Sequence, residues 1–537
     1  MKLRQNNSRT FRKLTVLGAL VLACVAFVFA ERSRGQLRPA RVISLKPGDD
    51  LQAAIRGAKF GDTIVLPAGA TFVGPIVLPF KGATSGSDAD YITIRTSDLA
   101  GIAAEGDRIK PASHARAMVK IVAPQEKAAV ITESRAHHYK FIGVEFAPAS
   151  DANYVFNVID LGSGDYSSQS QFPHHLIFDR CYVHSTGMNR ARRGFALNSA
   201  ETSLINSYVS GFAGAGDETQ AIAAWNTPGP LHIINNFLEG AGEVVLIGGA
   251  DPRVPNLVPS DIEIRNNYLR KPREWSGRAT VKGTFELKNA RRVVIEGNLI
   301  ESELLTTAIV LTVRNQGGKA PWSTIEDVDV RNNIVRHAST GVNILGSDNE
   351  QRSQEASRIR VTNNLFVDLV ANDPNNIPYF LQTNGGSNIS VAHNTVQQAG
   401  NVITAYGTPV RNFVFRDNIV QFNRYGIVCQ IDGQGCGDAF CGCYPAGMVR
   451  GNVFIDNLGV GLSENLDAKY PDGNFFVSSY QKAGITDLAH GNWRLAVPNG
   501  TQRKASDGRN PGVDFDALIA AGAIAAREGT TSKSYVR

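Results

Sequence analysis

Cysteine is scarce in this chain, with 6 residues among 537, too few for a fold held together mainly by disulfides. Charge is also sparse. Charged residues make up 19% and the formal net charge is +6, while 43% of residues are hydrophobic, so charge-driven disorder is excluded and a core can be buried. Glycine, at 52 residues, is about a tenth of the chain and not the third a collagen repeat needs. Past residue 30 no apolar run is long enough to cross a bilayer as a helix. No Lys/Arg block interleaved with aromatics follows either, which argues against a nucleic-acid partner. Amphipathic stripes of helical period are missing from the body, so helical solenoids are excluded.

The first thirty residues are different. Lys2, Arg4, Arg9, Arg12 and Lys13 occur without any acid, and residues 14–30 form an unbroken apolar run. This pattern predicts a bacterial-type signal peptide over residues 1–30, with Val28 and Ala30 before the cleavage point, or an uncleaved N-terminal anchor. Residues 21–24 (VLAC) resemble a lipobox only weakly. The expectation is an exported chain, secreted, periplasmic or on the cell surface, with residues 31–41 as a linker.

The body repeats. Residues 231–239 (LHIINNFLE), 262–270 (IEIRNNYLR), 293–301 (VVIEGNLIE), 328–336 (VDVRNNIVR), 359–368 (IRVTNNLFVD), 389–397 (ISVAHNTVQ) and 413–421 (FVFRDNIVQ) share one pattern. A short alternating strand meets a polar corner with Asn, and a second short strand follows. The corner residues are Asn236, Asn267, Asn298, Asn333, Asn364, Asn394, Asn418 and Asn452, separated by 31, 31, 35, 31, 30, 24 and 34 residues. Cys181 and Ser207 occupy the same slot in weaker upstream copies. Length alone favours three or four domains; this period replaces them with one turn of a parallel β-helix per repeat. Stacked corner Asn residues would form an amide ladder at the strand spacing of about 4.8 Å.

Asp49 and Asp50 precede Leu51, Ala54, Ile55 and Ala58, which share one face of a short helix suited to cover the open end of a solenoid. With LQAAI and GDTIVLPAG in place, the sequence resembles the pectin-lyase-like right-handed β-helix superfamily over residues 42–480. The predicted fold is therefore all-β, a right-handed parallel β-helix over residues 42–487. An irregular and helical C-terminal cap and tail, residues 488–537, is expected to pack along it. The superfamily contains lyases, hydrolases, epimerases and adhesion modules, so the resemblance does not choose among activities.

Cys429, Cys436, Cys441 and Cys443 cluster within fifteen residues. In an exported chain they are disulfide candidates closing a loop, with a zinc site as the rival. Cys181 reads as a buried thiol.

Function on a β-helix belongs to outward side chains of neighbouring turns. Strand alternation assigns Phe285 and Leu287 inward and Thr284, Glu286 and Lys288 outward; likewise Ile309, Leu311 and Val313 inward, Thr312 and Arg314 outward. Lys288 and Arg314 on consecutive turns, beside Glu286, suit an anionic sugar. Abstracting the C5 proton of a uronate needs a base and a cation to neutralise the carboxylate. At these residues the chain resembles the β-helical lyases of alginate and dermatan sulfate. That resemblance implies Lys288 as base, Arg314 as charge neutraliser and Ca²⁺ as the one cofactor. The group's Glu-x-Glu ahead of the Lys has no counterpart in residues 281–285, and Asn315 stands where the group has His.

A second candidate stretch spans residues 217–251. Trp225 and Asn226 are expected to bind a sugar, with Asp251 beside them. Asp217, Glu243 or Asp251 would hold a cation or act as acid or base, Glu243 being the metal candidate. Arg190, Arg192, Arg193, Arg270, Lys271 and Arg273 read as solvated loop charges bordering a groove. The histidines at 137, 138, 174, 175, 184, 337 and 393 have no metal-binding spacing and receive no role.

The reading that results is an exported monomer acting on acidic polysaccharide as a lyase. The alternatives are a non-catalytic carbohydrate-binding or adhesion solenoid, and a glycoside hydrolase, for which the NTD, GHG and RIK motifs of polygalacturonases are absent. Subtracting the five leader cations from +6 leaves +1 for residues 14–537. Attraction for an acidic glycan therefore depends on local placement of Lys and Arg.

Overall fold

The computed structural model describes residues 39–371, 376–423, 425–431, 434–436, 442–444, 448–456, 470–496 and 505–527. The leader expected at residues 1–30, most of the linker, and Cys441 lie outside them. Among the described residues no helix is long and apolar enough to cross a membrane.

Each turn of the chain lays down three short strands in the same order. They stack into three parallel sheets of 14, 14 and 13 strands. The first runs from Val42–Ser44 to Met448–Arg450, the second from Thr71–Val73 to Phe475–Val477, and the third from Ile76–Leu78 to Gln434–Cys436. All pairings between turns are parallel; Gln434–Cys436 folds back antiparallel on Ile427–Ile431. Thirteen strands less that partner give twelve turns in the third sheet. The fold is a right-handed parallel β-helix, as the period predicts. Its interior is one continuous apolar column from Leu51 to Tyr470. Within it Phe141 stacks on Phe178 one turn later, with ring centroids 5.0 Å apart.

The corner between the first and second sheets is set by the ladder Asn residues, all 0% exposed. Each side-chain amide donates to the next one's carbonyl: Asn236 to Asn267 at 3.0 Å, Asn298 to Asn333 at 2.9 Å, Asn418 to Asn452 at 3.0 Å. The ladder continues one turn further than the repeats indicate, from Asn452 to Asn474. Cys181 and Ser207 occupy its first slots, and Cys181 is a buried free thiol. The residue before each ladder position is left-handed, as at Asn266 (φ 55°), Asn332 (φ 55°) and Asp417 (φ 58°), with Gly297 and Gly451 elsewhere. Asn, Asp and Gly tolerate this conformation, which explains the recurring NN, DN and GN pairs; His393 (φ 54°) adopts it before Asn394.

Every ladder Asn satisfies backbone groups that no water reaches. Asn298 donates to Ile264 O and accepts from Asn267 N. Asn298→Ala orphans both. A loss of about 3 kcal/mol is expected, read as a lower denaturant midpoint with unchanged β-sheet circular dichroism.

The short helix Leu51–Gly57 covers the N-terminal end. The Asp50 side chain accepts from Ala53 N, and Leu51 and Ile55 are buried. Gln52 accepts from Val77 N at 2.7 Å and donates to Val77 O at 2.9 Å, replacing the strand missing from the edge of the third sheet.

The C-terminal part packs along the solenoid, on its flank. Residues 505–527 run back along the outside of the Asn corner. Gly512 N donates to Asp417 O, Asp514 N to Asn363 Oδ1, and the buried Arg108 to Ala526 O at 2.6 Å. Phe515 and Leu518 join Trp493 and Tyr480 in a separate apolar cluster on the flank. This segment covers a side of the solenoid because its apolar residues fit the outer face of the second sheet and not the open end.

A disulfide, Cys429–Cys443, links strand Ile427–Ile431 to the segment beyond the antiparallel strand Gln434–Cys436. Cys436 pairs with Cys429 across the hairpin through the backbone.

Candidate functional site

The third sheet carries the candidate site, and its strands bend. In each turn two consecutive residues face the core: Val158 and Ile159, Ala221 and Ile222, Val244 and Val245, Ala308 and Ile309, Phe380 and Leu381, Val402 and Ile403. Val244 N and Val245 N both donate to Thr284 O, the mark of a bulge. The bend corrects one alternation assignment. Thr284 occupies the doubled interior position with Phe285, buried and with its hydroxyl unpartnered. The remaining inward and outward assignments around Lys288 and Arg314 agree with the structure: Phe285, Leu287, Ile309, Leu311 and Val313 are core residues.

Outside the bend the strands present two rows of side chains. One row runs Asn157, Arg193, Gln220, Glu243 in register. The other runs Leu246, Glu286, Val310, Asn343, Gln382, Thr404. Where the first row reaches Gly283 it has no side chain. A Cβ there would meet Glu286 Oε1 at 2.5 Å, and Gly283 N donates to that oxygen at 2.9 Å. The gap lets the carboxylate of Glu286 sit almost buried beneath Lys288.

Lys288 follows strand Phe285–Leu287. Its Nζ donates to Glu286 Oε2 at 2.8 Å and to Thr312 Oγ1 at 2.8 Å. Arg314 follows strand Thr307–Thr312, and its backbone N–H donates to Lys288 O at 2.9 Å, so the two residues sit on adjacent turns. Both side chains lean onto the following turn, Lys288 onto Thr312 and Arg314 onto Asp348 at 3.3 Å and Asn349. Both are partly exposed on the outer side of the third sheet.

Beneath them lies a group the sequence did not reveal. Lys271, expected as a solvated loop charge, is 0% exposed. Its ammonium donates to Ala241 O at 2.6 Å, to Gly242 O, and to Lys282 O at 2.9 Å. Glu243 and Glu286 act on it electrostatically from the neighbouring turns. Burial holds the Lys271 ammonium below the usual lysine range, against the pull of the two carboxylates. Glu243, 2% exposed, is raised by burial and by Glu286, and accepts from Gln220 Nε2 at 2.8 Å.

The residues of the second candidate stretch divide. Trp225 is half-buried, with the Arg193 guanidinium 5.3 Å from its ring. Asn226 is fully buried and donates to Ser163 O and Tyr166 O, both at 3.0 Å, so it holds that loop and faces no groove. Asp251 accepts from Gly317 N and Lys319 N, both at 2.9 Å, and clamps the loop after Arg314. Asp217 accepts from Tyr154 OH at 2.5 Å. Phe156, 47% exposed, was not singled out from sequence; Arg192 and Arg193 each lie 5.0 Å from its ring. Burial, then the like charge of Arg192, brings Arg193 down to about 10, still a cation at neutral pH. Three strand spacings separate the Arg193 turn from the Lys288 turn, about 14 Å along the axis.

The fit to Ca²⁺ is poor at Glu243. Calcium takes six to eight oxygen ligands, whereas Glu243 is buried and held by Gln220 Nε2, and the Lys271 ammonium, bonded to three backbone carbonyls, acts on it through space. Among the described residues, two groups bring three ligand atoms within 4.8 Å of one another: His138, His174 and His175, and His393, Asp417 and Asp507. Neither involves Glu243. The second is saturated by its own contacts to Arg416, Ser506 and Arg509.

No family model matches the chain, and no curated protein matches it. Solved structures do. A PL6 family alginate lyase, AlyGC, superposes with a TM-score of 0.52 at 14% identity, covering 91% of this chain. The match covers 58% of that lyase's length. A mannuronic-acid-specific polysaccharide family 6 lyase from human gut microbiota covers 82% of this chain and 91% of its own, at 13% identity and a TM-score of 0.45. PfbA, a surface adhesin of Streptococcus pneumoniae, covers 75% of this chain and 84% of its own, at 10% identity and a TM-score of 0.43. At these identities the likeness is one of fold.

Proposed function

We propose that this protein is a lyase for uronate-containing acidic polysaccharide, working on the outer face of the third sheet. The observation that carries this reading is the Glu286–Lys288–Thr312 constellation with Arg314 on the adjacent turn. Shifting a proton across the 2.8 Å Lys288–Glu286 contact leaves a neutral amine facing the groove. That amine takes the C5 proton of a bound uronate. The C–H electron pair becomes the C4–C5 double bond, the bond from C4 to the linking oxygen breaks, and that oxygen is protonated from water. Arg314 faces the carboxylate, whose oxygens take on charge as the proton leaves. Each of these steps is carried by the protein's own side chains and water.

The cation and aromatic surface of Phe156, Arg192, Arg193 and Trp225 provides binding about three turns away. A chain of acidic sugars laid along the third sheet would reach both. Phe156→Ala is expected to raise KM about tenfold with kcat little changed, because it removes binding common to ground and transition states.

The test of the reading is the ultraviolet absorbance of unsaturated ends released from alginate, pectate and glycosaminoglycans. New reducing ends without unsaturation would favour a hydrolase. The second reading, a glycan-binding solenoid, is favoured by one observation. In this structure Lys288 is ion-paired to Glu286, and an ammonium binds anions but takes no proton. Saturable glycan binding without turnover across the panel would establish it.

The leader pattern and the Cys429–Cys443 disulfide support export to an oxidising compartment.

A further inference from the structure

Two His-His pairs 37 residues apart in the sequence meet on adjacent turns of the first sheet. His137 and His174 are register partners, with near-parallel rings 4.8 Å apart. His138 stacks on His175 at 4.4 Å. Consecutive residues of a strand normally face opposite sides. Here His138 (φ 59°) and His175 (φ 53°) are left-handed, and both rings of each pair fall on one side. The Nδ1 atoms of His137 and His138 are 2.8 Å apart, and those of His174 and His175 are 2.7 Å apart.

The protons in this cluster are fixed by its neighbours. His137 Nε2 lies 2.8 Å from Gly82 O, which can only accept, so Nε2 carries the proton and Nδ1 the lone pair. His138 must then donate from Nδ1, leaving a lone pair on its Nε2. That atom is buried and without a partner, on a residue 2% exposed. The second pair repeats the pattern. His175 Nε2 lies 2.7 Å from Glu201 Oε2, so His174 donates from Nδ1 and its Nε2 is a lone pair as well.

An orphaned imidazole lone pair in the protein interior is costly unless something binds it. One nitrogen from each of His138, His174 and His175 lies within 4.8 Å of the others. A tetrahedral site with Zn–N near 2.1 Å needs separations of about 3.4 Å; metal binding exchanges the hydrogen bond from His174 Nδ1 for a metal bond at His175 Nδ1, with the stacked His138 and His175 rings turning out of parallel. Phe60 and Tyr91 pack against the rings and orient them. Glu201 stands behind His175 as the outer carboxylate found behind metal-bound histidines. The fourth direction opens on a cleft of about 560 Å³ bordered by Phe80, Thr84, Arg135 and Gln169.

We propose that His138, His174 and His175 form a binding site for a divalent transition metal ion, of which Zn²⁺ is the expected occupant, with a fourth position open to this cleft. Neutral imidazoles suit Zn²⁺, Ni²⁺ and Cu²⁺, and not Ca²⁺ or Mg²⁺, which prefer oxygen. The site belongs to the first sheet and does not involve Lys288 or Arg314.

The test uses the untagged full chain after dialysis against chelator. Calorimetric titration with Zn²⁺ is expected to show one saturable site, and Zn²⁺ to raise the thermal midpoint. Co²⁺ is expected to give the intense visible bands of a tetrahedral nitrogen site. His174→Ala abolishes binding and bands, while His232→Ala, a remote histidine on the same sheet paired with Glu263, leaves both intact. Glu201→Gln, at an exposed position, weakens Zn²⁺ about 10- to 100-fold without disturbing the fold. Absence of saturable Zn²⁺ binding, or binding unchanged in both His174→Ala and Glu201→Gln, overturns the proposal and leaves the four rings as a stacking ladder.

Discussion

Lys288→Ala is expected to lower the release of unsaturated ends from an acidic glycan by about 10²- to 10⁴-fold, the range spanned by a general base. The side chain lies at the surface of the third sheet, tied to Glu286 and Thr312, so its loss removes no core packing. Circular dichroism and the unfolding midpoint should stay near those of the parent. Lys288→Arg separates base from binder. A guanidinium cannot give up its proton at usable pH, so the variant retains substrate affinity and remains inactive if Lys288 is the base. If Lys288 only binds anion, Lys288→Arg recovers most of what alanine loses. Activity retained in both variants would remove Lys288 from the mechanism. Arg314→Ala is expected to cost about 10²- to 10³-fold in kcat through lost stabilisation of the developing charge.

The largest effect on stability is expected at Lys271. Lys271→Met preserves length but leaves three buried backbone carbonyls without their donor and removes the charge that acts through space on Glu243 and Glu286. Each buried carbonyl left without a partner costs about 1–3 kcal/mol, so a loss of about 3–5 kcal/mol is expected. The denaturant midpoint should fall accordingly. Pairing the change with Glu243→Gln should recover part of the loss, because the remaining carboxylate is then less crowded, and the coupling is read from a double-mutant cycle. A midpoint unchanged in Lys271→Met would mean that the ammonium is not needed there. The same residue makes a prediction for metal removal. Dialysis against chelator should leave lyase activity unchanged, since the charge under the site is covalently attached. If chelation abolishes the activity and Ca²⁺ restores it, a cation competes with Lys271 for the two carboxylates.

Much of the scaffold was legible in the chain. The spacing of Asn236 to Asn452 marks one residue per turn at one corner, and the ladder is found there, with Cys181 and Ser207 in its first slots. LQAAI marked the capping helix, though not that Gln52 imitates a strand for Val77. The facing of Lys288 and Arg314 followed from strand alternation. Thr284 did not, because the third-sheet strand bends and places two neighbours inside. The C-terminal residues indicated a segment packing along the solenoid but not which surface it covers.

The sequence alone determined the architecture. A parallel β-helix stacks in one dimension, so the residue above any position lies one repeat along the chain, and a repeating Asn shows where each turn closes. The tertiary structure alone decided the chemistry beside that register. Turn lengths vary from 22 residues between Asn452 and Asn474 to 54 between Ile76 and Val130, so side chains at strand ends meet according to the path of each loop. Lys271 looks like a loop charge in LRKPREW and lies fully buried, bonded to the carbonyls of Ala241, Gly242 and Lys282. His137-His138 and His174-His175 fit no linear metal motif, yet stacking puts the four rings together. Local pattern carries the vertical neighbour; burial, bends and loop paths fix the lateral ones, and those set charge, proton position and site.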